Sequence, residues 1–271
     1  MDDMKLLRLD MLVAAQCGFS REYAREAVTK GLVSLQGKTL AKPGLKLPAD
    51  TVVEVTAGQM KYVGRGGYKL EKAVAIFEIS VHNNTCMDIG ASTGGFTDCL
   101  LQAGAAKVYA IDTGKAQLAD SLQGNPKVVS MEGTNIRELL PDAIGAQMDC
   151  ITIDVSFISL IKVLPHAASF LASDGAIIAL VKPQFEAGRA HINRSGVVAD
   201  PKVHLHVLRE LYKALPACGL YAHGCIASPL RGQNGNAEYL LCLRAYDGLS
   251  EAAFLQAAKD AVAESRTAKE R

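Results

Sequence analysis

The chain has 271 residues, enough for one large domain and a second, small one. Apolar residues make up 49% of it, so a sizeable core can form, while a formal net charge of +1 excludes a global electrostatic signal for nucleic acid. Seven cysteines without a C-x-x-C pair and six histidines without ligand spacing indicate reduced thiols rather than disulfides or zinc. No apolar signal segment appears, and the longest apolar run, residues 176–181, is too short to cross a bilayer. We expect a soluble cytoplasmic protein with no metal and no membrane association.

Residues 1–58 have the pattern of a small α+β unit. Apolar residues at helical spacing predict a first helix: Leu6, Leu9, Leu12 and Val13. Ser20 is a typical cap for a second helix, whose inner face would carry Tyr23, Ala24, Ala27 and Val28. Gly31 would end this helix, and two strands, 32–37 and 51–55, would follow with a Pro43–Gly44 turn between them.

Basic residues occur at the helix starts and turns of this unit. Their charge is nearly balanced by acids, so the pattern alone fits a solvated surface as well as a face that binds a phosphate backbone. The order Arg8-Leu-Asp, Gly18-x-Ser20-Arg21 and Lys30-Gly-x-Val-x-x-x-Gly37 resembles the S4 RNA-binding module over about 50 residues, although Gln36 replaces a frequent asparagine. The resemblance favours RNA and implies these contacts: Arg8, Arg21, Arg25, Lys30, Lys38, Lys42 and Arg65.

A linker at residues 59–65 is predicted to lead into the larger domain, residues 66–271. Gly66 opens a helix with apolar positions Leu70, Ala73, Val74 and Phe77. Lys69 lies in this helix, where a single lysine is by default an exposed surface residue.

The stretch from Thr85 to Asp112 organises the larger domain. A short apolar run, a turn with Gly90, Gly94 and Gly95, and a helix over residues 96–103 predict the entry to a doubly wound α/β sheet. Glycines allow a sharp turn and a close approach of a ligand to the backbone. Asp112 ends the next strand, about 20 residues beyond the turn, where an acceptor for ribose hydroxyls is expected.

Two cofactor classes fit such a turn. A dinucleotide site prefers glycine at the position of Ser92, and the carboxylate of Asp88 would repel a pyrophosphate but attract the sulfonium and ammonium of S-adenosylmethionine. We therefore favour S-adenosylmethionine over NAD. Residues 135 and 136 follow a third strand at the place where a methyltransferase loop usually meets the adenine. The cofactor contacts are then expected to be Asp88, Gly90, Ala91, Ser92, Gly94, Gly95, Phe96, Asp112, Asn135 and Ile136.

The remaining pattern alternates strands with helices. Strands are predicted at 128–129, 148–154, 176–181, 219–228 and 237–244, and helices from about Leu160, over 201–217 and over 250–264. The alternation predicts a parallel sheet with helices on both faces, the Rossmann-like class I methyltransferase architecture. Asp88, Asp112, Asp154 and Lys182 all fall at strand ends, where ligands of such sheets bind.

Lys182 beside Asp154 is open to two interpretations. The two residues could form a plain ion pair, or the lysine could act as a general base if a second lysine, such as Lys69, favoured its neutral form. The motifs Asp88-Ile-Gly-Ala-Ser-Thr-Gly-Gly-Phe96, Asp154-Val-Ser-Phe157 and Val181-Lys-Pro-Gln-Phe185 resemble the FtsJ class of ribose 2′-O-methyltransferases. An S4 module followed by Arg65-Gly-Gly-Tyr-Lys69-Leu resembles the TlyA family, also called haemolysin A, with Gly64 in place of its usual serine.

The resemblance implies a catalytic Lys-Asp-Lys-Glu tetrad, which maps to Lys69, Asp154, Lys182 and Glu238. Lys182 would be the base, and the substrate would be a cytidine 2′-hydroxyl in 16S or 23S ribosomal RNA. The chemistry needs no cysteine nucleophile, which agrees with Cys150 lying inside a predicted strand. The alternatives are a non-catalytic RNA-binding protein on the same scaffold and a membrane-active haemolysin, for which no membrane-inserting segment appears. The modified nucleotide, the ribosomal subunit that is bound and the oligomeric state are left open by the sequence.

Overall fold

The computed structural model describes residues 6–17, 19, 21–56 and 61–267. Its N-terminal unit comprises β1 (Leu6–Arg8), α1 (Leu9–Cys17), α2 (Arg21–Thr29), β2 (Val33–Leu35), β3 (Lys38–Thr39), β4 (Lys46–Pro48) and β5 (Glu54–Val55). Strand β1 pairs with β4, while β3, β2 and β5 form a second small sheet. The two helices close a core with fully buried Leu9, Val13, Ala24 and Val28.

The first helix is shorter than its spacing predicts. Leu6 lies in β1, opposite Pro48, and its side chain is 54% exposed, because strand pairing with a segment about 40 residues away overrides the helical pattern. The inner face predicted for α2 is confirmed as buried. Gly31 follows α2 with φ +71°, the left-handed conformation typical of a helix end. Ser20, the predicted cap, is outside the described residues.

The larger unit contains a seven-stranded sheet among the described residues, in the order β11-β12-β10-β9-β6-β7-β8. Its elements are α3 (Gly66–Ile76), β6 (Thr85–Ile89), α4 (Gly95–Gln102), β7 (Lys107–Asp112), α5 (Asp120–Gln123), β8 (Val128–Glu132), β9 (Met148–Ile153), α6 (Leu164–Ala168), β10 (Leu171–Val181), α7 (Pro183–Glu186), α8 (Pro201–Ala214), β11 (Tyr221–Ala227), β12 (Tyr239–Arg244) and α9 (Glu251–Thr267). Only β12 runs against the other strands. The predicted parallel sheet is therefore mostly, but not entirely, parallel.

Side chains of β10 alternate between the two faces of the sheet. Ile177 and Ala179 pack in one apolar cluster with residues of α6, α8 and α9, whereas Ile178 and Leu180 pack in another with residues of α3 and α4. This alternation confirms the prediction of helices on both faces. Two helices differ from prediction. Helix α8 ends at Ala214 and continues as a 3₁₀ turn, because Pro216 has no N–H to donate within the helix. The helix expected from about Leu160 begins as a 3₁₀ turn, Leu160–Lys162, and α6 follows it.

The segment between the two units packs against both of them. Tyr62 is 4% exposed, and its carbonyl oxygen accepts a hydrogen bond from the hydroxyl of Tyr23 in α2. The backbone N–H of Val63 donates to Asp98 Oδ2 at 2.8 Å. Residues 57–60, which include the first two residues of the predicted linker at 59–65, are outside the described residues. Within residues 61–267 and the described part of the N-terminal unit, no helix is long and apolar enough to cross a membrane.

Candidate active site

The glycine turn between β6 and α4 forms the floor of the site. Gly90 has φ +85°, and a Cβ there would lie 2.5 Å from the carbonyl oxygen of Asp154. The turn therefore packs backbone against backbone on the loop that follows β9, which only glycine permits. Gly94, with φ +93°, directly precedes the first residue of α4.

A cavity of about 910 Å³ opens above this turn. The turn contributes Gly90, Ala91, Ser92, Gly95 and Phe96 to its wall. All four residues of the predicted tetrad line the same cavity: Lys69, Asp154, Lys182 and Glu238. The tetrad residues come from α3, from the loops after β9 and β10, and from the residue before β12, so the sheet topology brings them together.

The tetrad forms two close ion pairs. Lys182 Nζ lies 2.6 Å from Asp154 Oδ1, and Lys69 Nζ lies 2.6 Å from Glu238 Oε2. The side chain of Glu238 is 3% exposed and that of Lys69 is 10% exposed, whereas Asp154 and Lys182 retain 22% and 12%. The Lys182–Asp154 pair is thus the more accessible of the two, and it faces the cavity.

Burial and charge act in opposite directions on this cluster. Burial alone would raise the pKa of Asp154, but the ammonium groups of Lys182 and Lys69 outweigh burial and lower it. Burial alone would lower the pKa of Lys69, but the carboxylates of Glu238 and Asp154 outweigh it and raise that pKa. Asp154 is therefore an anion and Lys69 a cation at neutral pH.

Asp88 lies beneath the glycine turn and does not reach the cavity wall. Its side chain is fully buried, and its two oxygens accept hydrogen bonds from Thr97 (2.7 Å) and Thr152 (2.9 Å). Burial raises the pKa of Asp88 to about 6, although the threonine hydroxyls oppose the shift. In this arrangement Asp88 ties β6 to β9 and α4 instead of presenting its carboxylate directly to a bound cation.

The other expected cofactor contacts are only partly brought together. Asp112 accepts backbone hydrogen bonds from Ser92 (2.8 Å) and Gly114 (2.7 Å), so it touches the glycine turn. Asn135 is half-buried; its side-chain amide donates to Glu138, and its side-chain oxygen accepts from the N–H of Arg137. Ile136 packs in the apolar core at 5% exposure. Four of the expected cofactor contacts therefore do not line the cavity: Gly94, Asp112, Asn135 and Ile136.

Arginines of the N-terminal unit form the opposite wall. Arg8, Arg21 and Arg25 line the cavity, and Arg8 is held by the buried carboxylate of Asp10 at 2.9 and 2.8 Å. Arg65 also lines it and makes an ion pair with Glu26 at 3.2 Å. The other predicted RNA contacts are not on this wall: Lys38 and Lys42 are exposed elsewhere, and Lys30 is paired with Glu26 at 2.8 Å.

Comparison with known proteins identifies the larger unit. The model of the FtsJ-like methyltransferase family matches residues 62–245, more than half of the chain. The chain belongs to the FtsJ-like methyltransferase family. Within its described residues, no three histidine, cysteine or acidic side chains are grouped so that they could hold a metal ion.

Relatives of this FtsJ-like methyltransferase extend over both units. A 16S/23S rRNA (cytidine-2′-O)-methyltransferase TlyA from Mycobacterium tuberculosis is 42% identical over 226 residues, covering 83% of this chain and 84% of the relative. A 23S rRNA (cytidine-2′-O)-methyltransferase TlyA from Campylobacter jejuni is 32% identical over 259 residues, covering 86% and 97%. The solved structure of a candidate hemolysin from Streptococcus thermophilus is 39% identical, with a TM-score of 0.79 over 98% of both chains.

Three features of the FtsJ-like site were missed by sequence reasoning. Ser156 accepts a hydrogen bond from Lys182 Nζ at 2.9 Å, and Gly232 leaves room for the Glu238 carboxylate, which a Cβ would overlap. Phe157 is 85% exposed with φ +65°, and its ring centroid lies 5.0 Å from that of Phe185. Ser156 and Phe157 belong to the motif Asp154-Val-Ser-Phe157, which carried the family resemblance but gave no role to these two residues.

Proposed function

We propose that this protein transfers a methyl group from S-adenosylmethionine to the ribose 2′-hydroxyl of a cytidine in ribosomal RNA. The main evidence is that two lysines and two carboxylates meet in one cavity, above a glycine turn and opposite a wall of arginines. The Mycobacterium tuberculosis and Campylobacter jejuni relatives, named for cytidine-2′-O methylation, support the substrate assignment.

The residues around the turn fit S-adenosylmethionine. A carboxylate has about four acceptor positions, and backbone N–H groups use two on Asp112, so two are left for ribose hydroxyls. Asp154 supplies an anionic wall for a cationic ligand. When bound, the cofactor supplies a methyl carbon on a sulfonium, and the breaking C–S bond leaves its electron pair on sulfur. Asn135 and Ile136 stay predicted adenine contacts, and Asp88 would act by fixing the turn.

Lys182 is the residue that takes the proton. The raised pKa of Lys69 keeps its ammonium charged in the Glu238 pair, so it cannot accept a proton at neutral pH. Lys182 faces the cavity and holds its amine beside Asp154. As the 2′-oxygen bonds to the methyl carbon, its proton passes to the lone pair of Lys182 Nζ in the neutral amine form, and the resulting ammonium is stabilised by the carboxylate 2.6 Å away.

The arginine wall is suited to the RNA backbone. Arg8, Arg21 and Arg25 face the same space as the tetrad, so a ribose placed at Lys182 brings neighbouring phosphates toward them. The division into an S4-like RNA-binding domain (1–58), a linker (59–65) and a methyltransferase domain (66–271) belongs to this proposal. Lys30, Lys38 and Lys42 would extend the contact beyond the cavity.

A direct assay tests the function. The full-length protein is incubated with methyl-labelled S-adenosylmethionine and, in separate reactions, with isolated small and large ribosomal subunits lacking the modification. We expect label in RNA at a cytidine ribose, mapped as a 2′-O-methyl nucleotide. Cofactor binding without transfer to either subunit would refute the substrate, and no cofactor binding by calorimetry would favour the non-catalytic RNA-binding alternative.

A further inference from the structure

Lys182 has two oxygen neighbours, and only one belongs to the tetrad. Nζ lies 2.6 Å from Asp154 Oδ1 and donates to Ser156 Oγ at 2.9 Å. The ring of Phe185 is a further neighbour, with its centroid 6.0 Å from Nζ. Ser156 lies two residues after Asp154 in the same loop, and both line the cavity.

These contacts leave one direction of the amine open. An ammonium has three N–H bonds in a tetrahedral arrangement. With Asp154 as the one neighbour, the end of the Lys182 side chain could still swing about the line between Nζ and the carboxylate and carry Cε with it, so the N–H directions would not be fixed. Ser156 limits this swing because its Oγ accepts a hydrogen bond from the same amine. Lys182 lines the cavity, and besides Asp154 and Ser156 no described side chain accepts from its amine, so the third direction is left for a ligand in the cavity.

We propose that Ser156 is a positioning residue that aims the open direction of the Lys182 amine at the substrate hydroxyl. The inference rests on the proposed methyl transfer and adds a fifth residue to the tetrad. In the reaction, the third N–H is the one formed when the 2′-hydroxyl proton arrives. Ser156 also accepts from the ammonium that develops in the transition state, and such a contact favours the transition state over the ground state.

The loop that carries Ser156 is fixed to the loop that carries Lys182. Glu186, four residues after Lys182, accepts from Ser159 Oγ at 2.6 Å and from the N–H of Leu160 at 2.8 Å. The rings of Phe157 and Phe185 are in contact across the same gap. The distance between Ser156 and Lys182 is therefore set by the packing of two anchored loops, as preorganisation requires.

Three variants separate the effect of the Ser156 hydroxyl group from the effect of side-chain shape: Ser156→Ala, Ser156→Thr and Ser156→Val. Threonine and valine have the same shape and differ by the hydroxyl. We expect kcat to fall about tenfold in the alanine and valine variants and to stay within about threefold in the threonine variant, the size expected for one hydrogen bond to a charged group. The Kd for S-adenosylmethionine and the KM for ribosomal subunits should be unchanged. Equal losses in threonine and valine, full kcat in alanine, or a loss confined to KM would overturn the proposal.

A second measurement needs no turnover. Selective ¹⁵N-lysine labelling, with assignment by Lys182→Arg, gives the hydrogen-exchange rate of the Lys182 Nζ group in mildly acidic buffer. Loss of the acceptor should speed exchange by about threefold or more in Ser156→Val and leave Ser156→Thr near the wild type. Equal rates in these two variants would refute the contact itself. Failure of the wild-type protein to methylate either subunit would instead refute the proposed function, whatever the exchange rates are.

Discussion

Lys69 and Lys182 carry the same amine in two different settings. The first is nearly enclosed and paired with a buried carboxylate, and its raised pKa keeps it charged. The second lies at the cavity between a carboxylate and a hydroxyl. In the proposed mechanism, position alone gives two chemically identical groups different roles: Lys69 would supply a fixed charge, and Lys182 would exchange a proton with the substrate.

Replacing Lys182 tests this division. Lys182→Ala should reduce the transfer rate by about 100-fold or more, since general base catalysis contributes at least that much, while cofactor affinity is retained. Lys182→Arg should be equally inactive, because arginine keeps the charge but does not release its proton. Single-turnover methylation and calorimetry measure the two effects, and the exposed Lys202 on α8, changed to alanine, serves as the control. Near-normal turnover in either Lys182 variant would exclude Lys182 as the base.

The raised pKa of Asp88 predicts how the stability of the fold changes with pH. Its pKa is raised from 3.8 to about 6, so the neutral carboxyl stabilises the fold at low pH and this contribution is lost as the pH rises through about 6. Asp88→Asn removes the ionisation but not the burial. Relative to the wild type, the unfolding free energy of the variant should therefore increase between pH 4 and pH 7, by about 2 to 3 kcal/mol. Urea unfolding across this range measures it, and a constant difference at all pH values would contradict the shift.

Among the structural elements, the turn before α4 combines two backbone requirements at Gly90, a positive φ and a close contact with another backbone segment. Gly90→Ala adds both a positive-φ cost and a collision with the Asp154 carbonyl. Gly219→Ala is the matched control, since Gly219 has φ +67° but nothing within 4 Å of a Cβ. The control should lose about 1 kcal/mol of unfolding free energy, and Gly90→Ala should lose more and also lose methyl transfer. Equal losses in stability with full activity would show that the contact with Asp154 is unimportant.

At the same scale, the sequence predicts which strands exist better than it predicts what their ends touch. Periodicity and strand-end polarity predicted that Asp154 and Lys182 meet, because parallel strands end at one edge of a sheet. These two patterns could not predict β1, whose partner β4 is distant in sequence, or the burial of Asp88 beneath the glycine turn. Ser156 was missed because a serine has many possible partners and only the packing of two loops selects Lys182.

For the molecule as a whole, the cavity joins two units of different character. The tetrad comes from the larger unit, and Arg8, Arg21 and Arg25 come from the smaller one. The Glu26–Arg65 ion pair and the Tyr23–Tyr62 hydrogen bond connect them. These contacts were not predicted from the sequence, because periodicity within each unit carries no information about how the two units pack.

The arginine wall predicts a salt-dependent contribution to RNA binding. Arg21→Ala and Arg25→Ala should each weaken binding to ribosomal subunits and reduce the slope of log K against log salt by about 1 per lost phosphate contact. Lys127, exposed immediately before β8 and not part of the cavity lining, is the control when changed to alanine. Filter binding at several salt concentrations measures the slope, and equal slopes in all three variants would remove the wall from the RNA interface.

Removing residues 1–60 tests the division of labour between the units. The deletion takes away Arg8, Arg21 and Arg25 but keeps the glycine turn and the tetrad. We expect S-adenosylmethionine binding to persist and binding to ribosomal subunits to be weakened severely. Calorimetry and filter binding report the two affinities separately. Unchanged affinity for the subunits would show that the larger unit recognises RNA by itself.

The backbone contact between Gly90 and Asp154 has a further consequence. The segment that would cradle the methyl donor and the segment that orients the base touch without any side chain between them, so neither can shift without displacing the other. The alignment of a methyl donor with the base would therefore depend on how strands β6 and β9 are paired just before this contact, at Ile89 and Ile153.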